Sequence, residues 1–403
     1  MTKGKMHLPD SVKIAMDTLC KNGHEAYVVG GCVRDFVMGK APHDFDMTTN
    51  ATPDQMLEIF ADYTTITAGV KHGTVAVMID GEKIEITTYR IDGDYNDSRH
   101  PESVVFSTSL RDDTLRRDFT VNAMAYSEKD GIVDFVGGLA DVERKTIRAV
   151  GEAKKRFQED ALRILRALRF SSVLGFEIDG ATSLASKECA SLLTKISSER
   201  VCEELDKLLA GHKVGDLMEE YEAVFSVVLP EIYPITKEKL TALSYGYENV
   251  FVSYAILFDG LSREDASMIC SHLRFSNERK SRVLAILSFN DIPQSKTELK
   301  ILLSKIGLDS TLDFLKYKKA FGYDVKKAEE HLLEIEKNNE CYSLKMLAVD
   351  GRCLMSVGIK TGKEIGKILD ELLSLVIRGE LKNERSALLE YVKSKKDEWI
   401  FIS

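Results

Sequence analysis

The chain has 403 residues and a formal net charge of −9; 44% of its residues are hydrophobic and 30% are charged. This length predicts two to four domains of a globular protein. The acidic balance argues against general adhesion to nucleic acid, so an RNA partner must meet a local basic surface. No apolar run approaches the roughly 20 residues of a membrane span, and residues 1–14 lack the apolar segment of a secretory signal. We expect a cytoplasmic protein without a membrane partner.

The first motif along the chain follows a helix predicted over residues 8–22 and reads as a strand, a glycine turn and a helix start. Residues 27–29 are apolar and β-prone, Gly30 and Gly31 interrupt them, and an amphipathic segment follows. Backbone N–H groups at such a turn and at the helix start can bind an anion, and Arg34 could reach the same anion. We predict a phosphate site here.

Two aspartates follow in the sequence HDFDMTT (43–49). If residues 44–48 form a strand, Asp44 and Asp46 share one face, with carboxylates about 7 Å apart along the strand. Such a pair can hold Mg²⁺ against substrate phosphates, and two metal ions can stabilise both the attacking and the leaving oxygen of a phosphoryl transfer. The alternative is a solvated D-x-D at a strand end. The upstream glycine turn with Arg34 favours the metal site.

A helix is predicted over residues 52–60, and a β-hairpin over residues 72–90 with its turn at Asp80 and Gly81. Glu85 on the second hairpin strand is a candidate third carboxylate. The alternative is a glutamate whose side chain faces solvent and binds nothing, which is more common at such a strand position.

Arg116, Arg117 and Asp118 come directly before a strand predicted over residues 119–126. This order could place two guanidinium groups at the edge of a sheet. A charged loop that leads into a strand is an equally good interpretation of these residues alone.

The charge balance reverses over residues 144–169, which contain nine basic residues and three acidic ones. This is the strongest candidate in the chain for a nucleic-acid or triphosphate footprint. Residues 157–170 have the pattern of one continuous helix, on which Asp160, Arg163, Arg166 and Arg169 recur at every third position.

An aspartate and an arginine one turn apart can read a base. Asp160 can accept from an exocyclic amino group, and Arg163 can donate to a ring nitrogen, a combination that suits cytosine and adenine. A surface ridge of ordinary salt bridges is the alternative. From about residue 171 onward, apolar residues at three- and four-residue spacing predict helices throughout.

Four motifs resemble one family. GGCVRD (30–35) and HDFDMTT (43–49) are similar to the nucleotidyltransferase signature of class II tRNA nucleotidyltransferases and bacterial poly(A) polymerases. RRDFTVNA (116–123) and EDALR (159–163) resemble later motifs of that family, in its order. The resemblance implies an α+β fold, with an N-terminal mixed-sheet, polymerase-beta-like head followed by an all-α neck, body and tail.

The implied domains are the catalytic head at 1–150, the neck with base recognition at 151–212, the helical body at 213–310 and the tRNA-binding tail at 311–403. The catalytic residues expected from the motifs and the resemblance are Asp44 and Asp46, which would bind two Mg²⁺ ions. The expected nucleotide-binding residues are Gly31, Arg34, Arg117, Asp160, Arg163, Arg166 and Arg169. The expected supporting residues are Gly30, Asp118, Asn122 and Glu85.

From the resemblance we expect an enzyme that adds CCA to the 3′ end of tRNA from CTP and ATP, without a nucleic-acid template, and releases pyrophosphate by a two-metal mechanism. The polar segment 91–103 resembles the family's flexible loop and argues against an enzyme that adds only CC. The alternatives are an A-adding tRNA nucleotidyltransferase, a poly(A) polymerase or a non-catalytic RNA-binding protein. The acidic chain argues weakly against poly(A) polymerase. We expect tRNA, CTP and ATP as partners, and no DNA.

Overall fold

The computed structural model describes residues 5–42, 44–92, 104–245, 249–359 and 362–395. The chain divides into two compact units, Met1–Tyr233 and Pro234–Ser403. Most of the predicted loop at 91–103 lies outside the described residues. In the described part of the chain, we find no helix with the length and apolar character needed to cross a membrane.

The first unit contains a mixed sheet and two small two-stranded sheets. Its strands are β1 (Ala26–Val29), β2 (Asp46–Thr49), β3 (Thr64–Ile66), β4 (Thr74–Ile79), β5 (Glu82–Thr88), β6 (Arg90–Asp92), β7 (Val104–Phe106), β8 (Met124–Ser127), β9 (Gly131–Asp134), β10 (Thr146–Ile147) and β11 (Glu177–Ile178). Seven of them form one sheet in the order β3-β4-β5-β2-β1-β8-β9. β2 and β5 are parallel, whereas the other neighbours in this sheet are antiparallel. β6 pairs with β7, and β10 pairs with β11.

Helices pack against this sheet, and the chain after the last strand of the first unit is helical. The helices of the first unit are α1 (Asp10–Lys21), α2 (Gly31–Val37), α3 (Pro53–Ile59), α4 (Leu110–Leu115), α5 (Gly138–Glu143), α6 (Ala153–Glu159), α7 (Leu162–Leu174), α8 (Gly180–Glu188), α9 (Ser198–Leu209), α10 (Val214–Glu220) and α11 (Glu222–Val228). The predicted helices at 8–22 and 52–60 are confirmed as α1 and α3. Thr52 and Gln55 form a capping box at the start of α3.

The predicted hairpin turn is also confirmed. Asp80 and Gly81 have φ angles of 50° and 82°, and they join β4 to β5. Two consecutive positive φ angles are typical of a two-residue hairpin turn that matches the twist of the flanking strands.

The second strand is shorter at its start than predicted. Asp46 pairs with Val29, the last residue of β1, after which Gly30 adopts a φ of 82° and the chain turns into α2. The β1 edge therefore offers no partner backbone to the residues before Asp46. Asp44 lies just outside the strand.

The prediction of one helix over residues 157–170 is wrong at Asp160. This residue has φ −140° and ψ 104°, and it separates α6 from α7. Its Oδ1 accepts from the N–H of Leu162 at 3.0 Å, and its Oδ2 accepts from Arg200 at 3.0 Å. An aspartate side chain that bonds a nearby backbone N–H competes with continued helix, and here it marks the start of α7.

The second unit is helical in its described residues. Its helices are α12 (Lys237–Leu243), α13 (Val250–Phe258), α14 (Arg263–His272), α15 (Asn277–Ile286), α16 (Lys296–Ala320), α17 (Lys326–Lys337), α18 (Gly351–Ser356), α19 (Lys363–Arg378) and α20 (Arg385–Ser394). Leu354, Ile368, Leu372 and Leu388 are fully buried in its C-terminal core. Apart from β11, the predicted helical second half and the α+β class are confirmed. The division into four domains, with boundaries after residues 150, 212 and 310, stays a prediction.

Candidate active site

Two aspartates lie where β2 begins, at one edge of the mixed sheet. Asp46 is the first residue of β2, Asp44 lies two residues before it, and both are exposed. β5 runs parallel to β2 with Ile86 opposite Met47, so Glu85 lies beside Asp46 on the neighbouring strand. The three acidic residues help to line a cavity of about 540 Å³.

The environment of Asp46 disfavours its negative charge. Its pKa is raised because the surrounding protein desolvates the carboxylate and because Glu85 repels it, although Arg117 acts in the opposite direction. Glu85 itself pairs with Lys83 at 2.7 Å. A divalent cation would relieve this crowding, and carboxylate oxygens are the ligands that Mg²⁺ prefers.

The two aspartates suit a metal ion that keeps some of its coordination positions free for substrate oxygens. Among the described residues, no three His, Cys, Asp or Glu side chains lie close enough together to form a metal centre by themselves. A magnesium ion at a nucleotide site is commonly held by one or two carboxylates and by substrate phosphates. Asp44 and Asp46 supply that number of carboxylates.

The glycine turn brings Arg34 towards the same edge. Gly30 needs its positive φ to start α2, and Arg34 is in that helix. The Arg34 guanidinium donates to Asn122 Oδ1 at 2.6 Å and to Asp35 Oδ1 at 2.8 and 2.9 Å. Asn122, predicted as a supporting residue, therefore orients Arg34 across 88 positions of sequence.

Arg117 is held by a buried carboxylate that the sequence interpretation missed. Asp113 is fully buried and accepts from Arg117 Nη2 at 2.9 Å and from Arg116 Nη2 at 2.5 Å. Burial alone would raise the pKa of Asp113, but the two guanidinium groups lower it below its usual value. Asp113 precedes Arg116 and Arg117 by three and four residues, the spacing at which side chains meet on a helix. This spacing was the sequence signal that could have revealed the ion pairs.

The helix α7 contributes two further arginines, which are also oriented by carboxylates. Arg166 forms an ion pair with Asp118, and Arg169 Nε lies 3.1 Å from Glu204 Oε2 on α9. Burial opposes ionisation of Asp118, but Arg166 outweighs it and lowers the pKa of the carboxyl group. Asp118 thus holds Arg166, and its supporting role in the site stays a prediction. Glu204 was not recognised from the sequence.

Three of these arginines surround one aromatic ring. The guanidinium carbons of Arg34, Arg166 and Arg169 lie 5.7, 5.4 and 4.2 Å from the centroid of Phe170. Phe119 packs edge-on against Phe170, with centroids 5.7 Å apart. The negative face of an aromatic ring attracts cations, so Phe170 helps to hold like charges near each other.

These side chains line a cavity of about 620 Å³. The predicted residues that line it are Gly30, Gly31, Arg34, Asp44, Asp46, Arg117, Asp118, Asn122, Arg166 and Arg169. The lining residues that the sequence interpretation did not single out are Cys32, Asp35, Phe170 and Lys207. Two carboxylates therefore face a group of arginines across one polar cavity, an arrangement that suits a metal-bound polyphosphate.

Asp160 and Arg163 do not line this cavity. Asp160 accepts from Arg200, and Arg163 forms an ion pair with Glu159 at 2.8 Å and donates to the Arg116 carbonyl oxygen at 3.2 Å. Both side chains are largely buried and already paired. Their role in base recognition stays a prediction.

Comparisons with known proteins agree with this geometry. Residues 26–148 match the family model described as "Poly A polymerase head domain". Residues 175–235 match "Probable RNA and SrmB- binding site of polymerase A", and residues 248–392 match "tRNA nucleotidyltransferase domain 2 putative". The fold and the site define a nucleotidyltransferase, a class that generally uses divalent metal ions.

The chain is 37% identical over 388 residues to the CCA-adding enzyme of Lactococcus lactis subsp. cremoris strain SK11, an alignment that covers 94% of each chain. It is 34% identical to the CCA-adding enzyme of Streptococcus mutans serotype c strain UA159, with 97% and 99% covered. The chain belongs to the CCA-adding enzyme family, which confirms the predicted resemblance.

Solved structures share the fold. The Bacillus stearothermophilus CCA-adding enzyme in complex with CTP has a TM-score of 0.80 and 31% identity, with 97% of this chain and all of that chain covered. The Thermotoga maritima CCA-adding enzyme complexed with tRNA has a TM-score of 0.68 and 20% identity, with 97% of both chains covered. The second likeness concerns the fold alone.

Proposed function

We propose that this protein adds C, C and A in turn to the 3′ end of tRNA, using CTP and ATP and releasing pyrophosphate. The observation that carries the proposal is the single cavity in which Asp44 and Asp46 face Arg34, Arg117 and Arg166. Membership of the CCA-adding enzyme family supports the choice of tRNA, CTP and ATP.

The arginines bind the triphosphate. Arg34, Arg117 and Arg169 have mostly buried side chains, and each is directed by a neighbouring amide or carboxylate, so their orientation precedes substrate binding. Burial lowers the pKa of Arg169, and nearby Arg166 adds to this effect. A bound triphosphate neutralises this excess of positive charge. Preorganised cations of this kind stabilise the charge that develops on transferring and leaving phosphates.

Asp44 and Asp46 hold two Mg²⁺ ions, with Glu85 as a supporting carboxylate. Ions held there would supply activation of the terminal ribose hydroxyl and neutralisation of the triphosphate charge. The aspartates must be ionised for this purpose. Desolvation and Glu85 raise the pKa of Asp46, and Arg117 together with a bound cation would oppose that rise. Gly31 leaves the backbone open at the start of α2, where a phosphate oxygen can approach.

Asp160 and Arg163 read the incoming base. An aspartate that accepts and an arginine that donates match the Watson–Crick edges of cytosine and adenine, but not those of uracil and guanine. To meet a base, Asp160 must leave Arg200, and Arg163 must leave Glu159. Glu159 ends α6 and Arg200 lies on α9, whereas the Arg116 carbonyl oxygen, to which Arg163 also donates, follows α4. Neck residues 151–212 recognise the base, and the body and tail hold the tRNA.

The test uses tRNA transcripts that end before CCA, after the first C and after CC. Each transcript is incubated with CTP, ATP or both, and the 3′-terminal products are sequenced. Addition of CCA that stops at A supports the proposal. Action on the CC-ended transcript alone would identify an A-adding enzyme, and an unlimited A tail would identify a poly(A) polymerase. No Mg²⁺-dependent incorporation would leave a non-catalytic RNA-binding protein.

The Phe170→Leu variant is expected to raise KM for CTP and ATP by a similar factor. Loss of three cation–π contacts, each worth about 0.5–1 kcal/mol even at exposed sites, predicts an increase of roughly tenfold or more. Steady-state kinetics with tRNA in excess measures the change. Phe170→Tyr retains the ring and should restore KM. Phe157→Leu is the control, since Phe157 is a buried phenylalanine for which the described residues show no cation–π contact with Arg34, Arg166 or Arg169. Equal KM changes in both leucine variants would contradict the role of the ring.

The Asp160→Ala variant is expected to lose discrimination against UTP. Without the carboxylate, the amino group of cytosine or adenine is left unpaired, which costs about 1–3 kcal/mol and predicts a loss of roughly tenfold in selectivity. The ratio of kcat/KM for CTP to that for UTP gives the answer. Asp206→Ala on α9 is the control outside this pair. An unchanged ratio with reduced overall activity would show that Asp160 supports the fold and not the base.

A further inference from the structure

A second basic cavity lies in the second unit. The nucleotide-transfer chemistry proposed for the head does not involve it. Its volume is about 480 Å³, and its polar lining includes Arg263, Lys280, Lys305, Asn277 and Ser288. None of its lining residues in the described part of the chain is acidic. For a chain with a net charge of −9, this local concentration of positive charge is unusual.

The three cations lack carboxylate partners in the described part of the chain. Arg263 Nη1 donates to Ser288 Oγ at 2.9 Å, and Lys280 Nζ donates to a serine hydroxyl at 2.8 Å. Lys305 Nζ lies 5.5 Å from the centroid of Phe289. Neutral hydroxyl and aromatic groups thus orient the charges without neutralising them. Each cation can still bind an anion.

The cations converge because three different helices carry them. Arg263 is the first residue of α14, Lys280 lies in α15, and Lys305 lies in the first part of α16. α16 is interrupted at Gly307, which has φ 76° and ψ 172°, two residues after Lys305. Basic residues that are merely solvated usually lie along the exposed face of a single helix. These three residues instead line one cavity.

We propose that this basic pocket binds a phosphate group and that the RNA backbone supplies it. Arginine and lysine that converge with hydroxyl donors form the kind of site that phosphate oxygens prefer. An acidic protein needs such a local surface, since affinity for an RNA backbone comes from cations placed against phosphates. The proposal rests on the proposed function, because tRNA is then the RNA. A free nucleotide offers the same chemistry, and the experiment separates the two sources.

The test compares the full-length R263Q/K280Q/K305Q variant with the wild type in binding a tRNA transcript that lacks CCA, at several salt concentrations and without nucleotide. Loss of one charged phosphate contact predicts a decrease in affinity of about tenfold. The slope of log affinity against log salt concentration should become shallower by about 1. The control is K21Q/K71Q/K129Q, which changes the net charge equally at exposed lysines of the head that line neither the pocket nor the active-site cavity. Thermal melting establishes that both variants remain folded.

Titration of ATP into the same proteins separates the two phosphate sources. A specific loss of tRNA affinity in the pocket variant supports an RNA phosphate. A second ATP-binding event that the pocket variant alone lacks, with tRNA affinity retained, would assign the phosphate to a free nucleotide and overturn the RNA source. Equal effects in the pocket and control variants, or no effect in either assay, would overturn the site. The two proposals can also fail separately. If the wild type adds no CCA but the pocket variant still binds tRNA more weakly than the wild type, the proposed function is refuted and the phosphate site in the pocket is retained.

Discussion

Replacing Asp46 with asparagine is expected to reduce nucleotide incorporation by at least about 10²–10³-fold, as loss of one preorganised group for the developing charge commonly does. The substitution removes a carboxylate at the proposed metal site and keeps the size of the side chain. Incorporation of labelled ATP into a CC-ended transcript, in the presence of Mg²⁺, measures the effect.

The same variant should remain folded. The pKa of Asp46 is raised, so the folded protein disfavours the ionised carboxylate, and a neutral amide relieves repulsion from Glu85. Its melting temperature should therefore equal or exceed that of the wild type, and its tRNA affinity should be unchanged. Asp62→Asn, an exposed substitution elsewhere in the head, is the charge-matched control. Substantial activity of Asp46→Asn would refute the metal role of Asp46. If the variant lost its fold as well as its activity, the result would indicate a structural role for Asp46 only.

The Asp113→Asn variant is expected to lose about 3–5 kcal/mol of the free energy of unfolding, the usual consequence of breaking a buried ion pair. The fully buried Asp113 carboxylate accepts from both Arg116 and Arg117, and an amide cannot compensate their charges. Urea denaturation at neutral pH measures the change. The neighbouring Asp112→Asn is the control, since Asp112 is partly exposed and bonds Ser107.

The pH dependence of this effect has a definite sign. The folded protein lowers the pKa of Asp113, so the stabilisation is fully present above the unfolded value of about 3.9. It is lost as the pH falls through the lower folded-state pKa. The difference in unfolding free energy between wild type and Asp113→Asn should therefore shrink in acid below about pH 4. A constant difference across that range would contradict the ion-pair explanation.

Nucleotide binding gives an independent measure of the Asp113 role. Arg117 lines the active-site cavity and takes its orientation from Asp113. At a temperature where the variant is fully folded, KM for CTP and ATP should rise while the preference between the bases is retained. A normal KM would show that Arg117 does not need this partner.

Much of the site could be predicted because it is coded in short segments. The glycine turn before Arg34 and the turn at Asp80 and Gly81 depend on backbone angles that few residues adopt, so local sequence is sufficient. The placement of Asp44 and Asp46 at one sheet edge follows from their spacing near a strand. The family motifs then added roles for arginines far apart in sequence.

Other features could not be predicted from local pattern. The helix period around Asp160 is uninterrupted in the sequence, and only the cap on Leu162 and the contact to Arg200 show where the helix stops. The extent of β2 depends on where its partner strand β1 turns away at Gly30. Both outcomes depend on neighbours that a single segment does not contain.

By itself, the sequence determined the glycine turn, the paired aspartates and the arginine-rich segment, because these are properties of neighbouring residues, and its motifs determined the class of fold through the family resemblance. Only the tertiary structure decided how the charges are held. Phe170 meets arginines from two helices, Asn122 orients Arg34, and Asp113 holds Arg117 from a fully buried position. Such contacts depend on packing and desolvation, which act through space between residues that have no pattern in common along the chain.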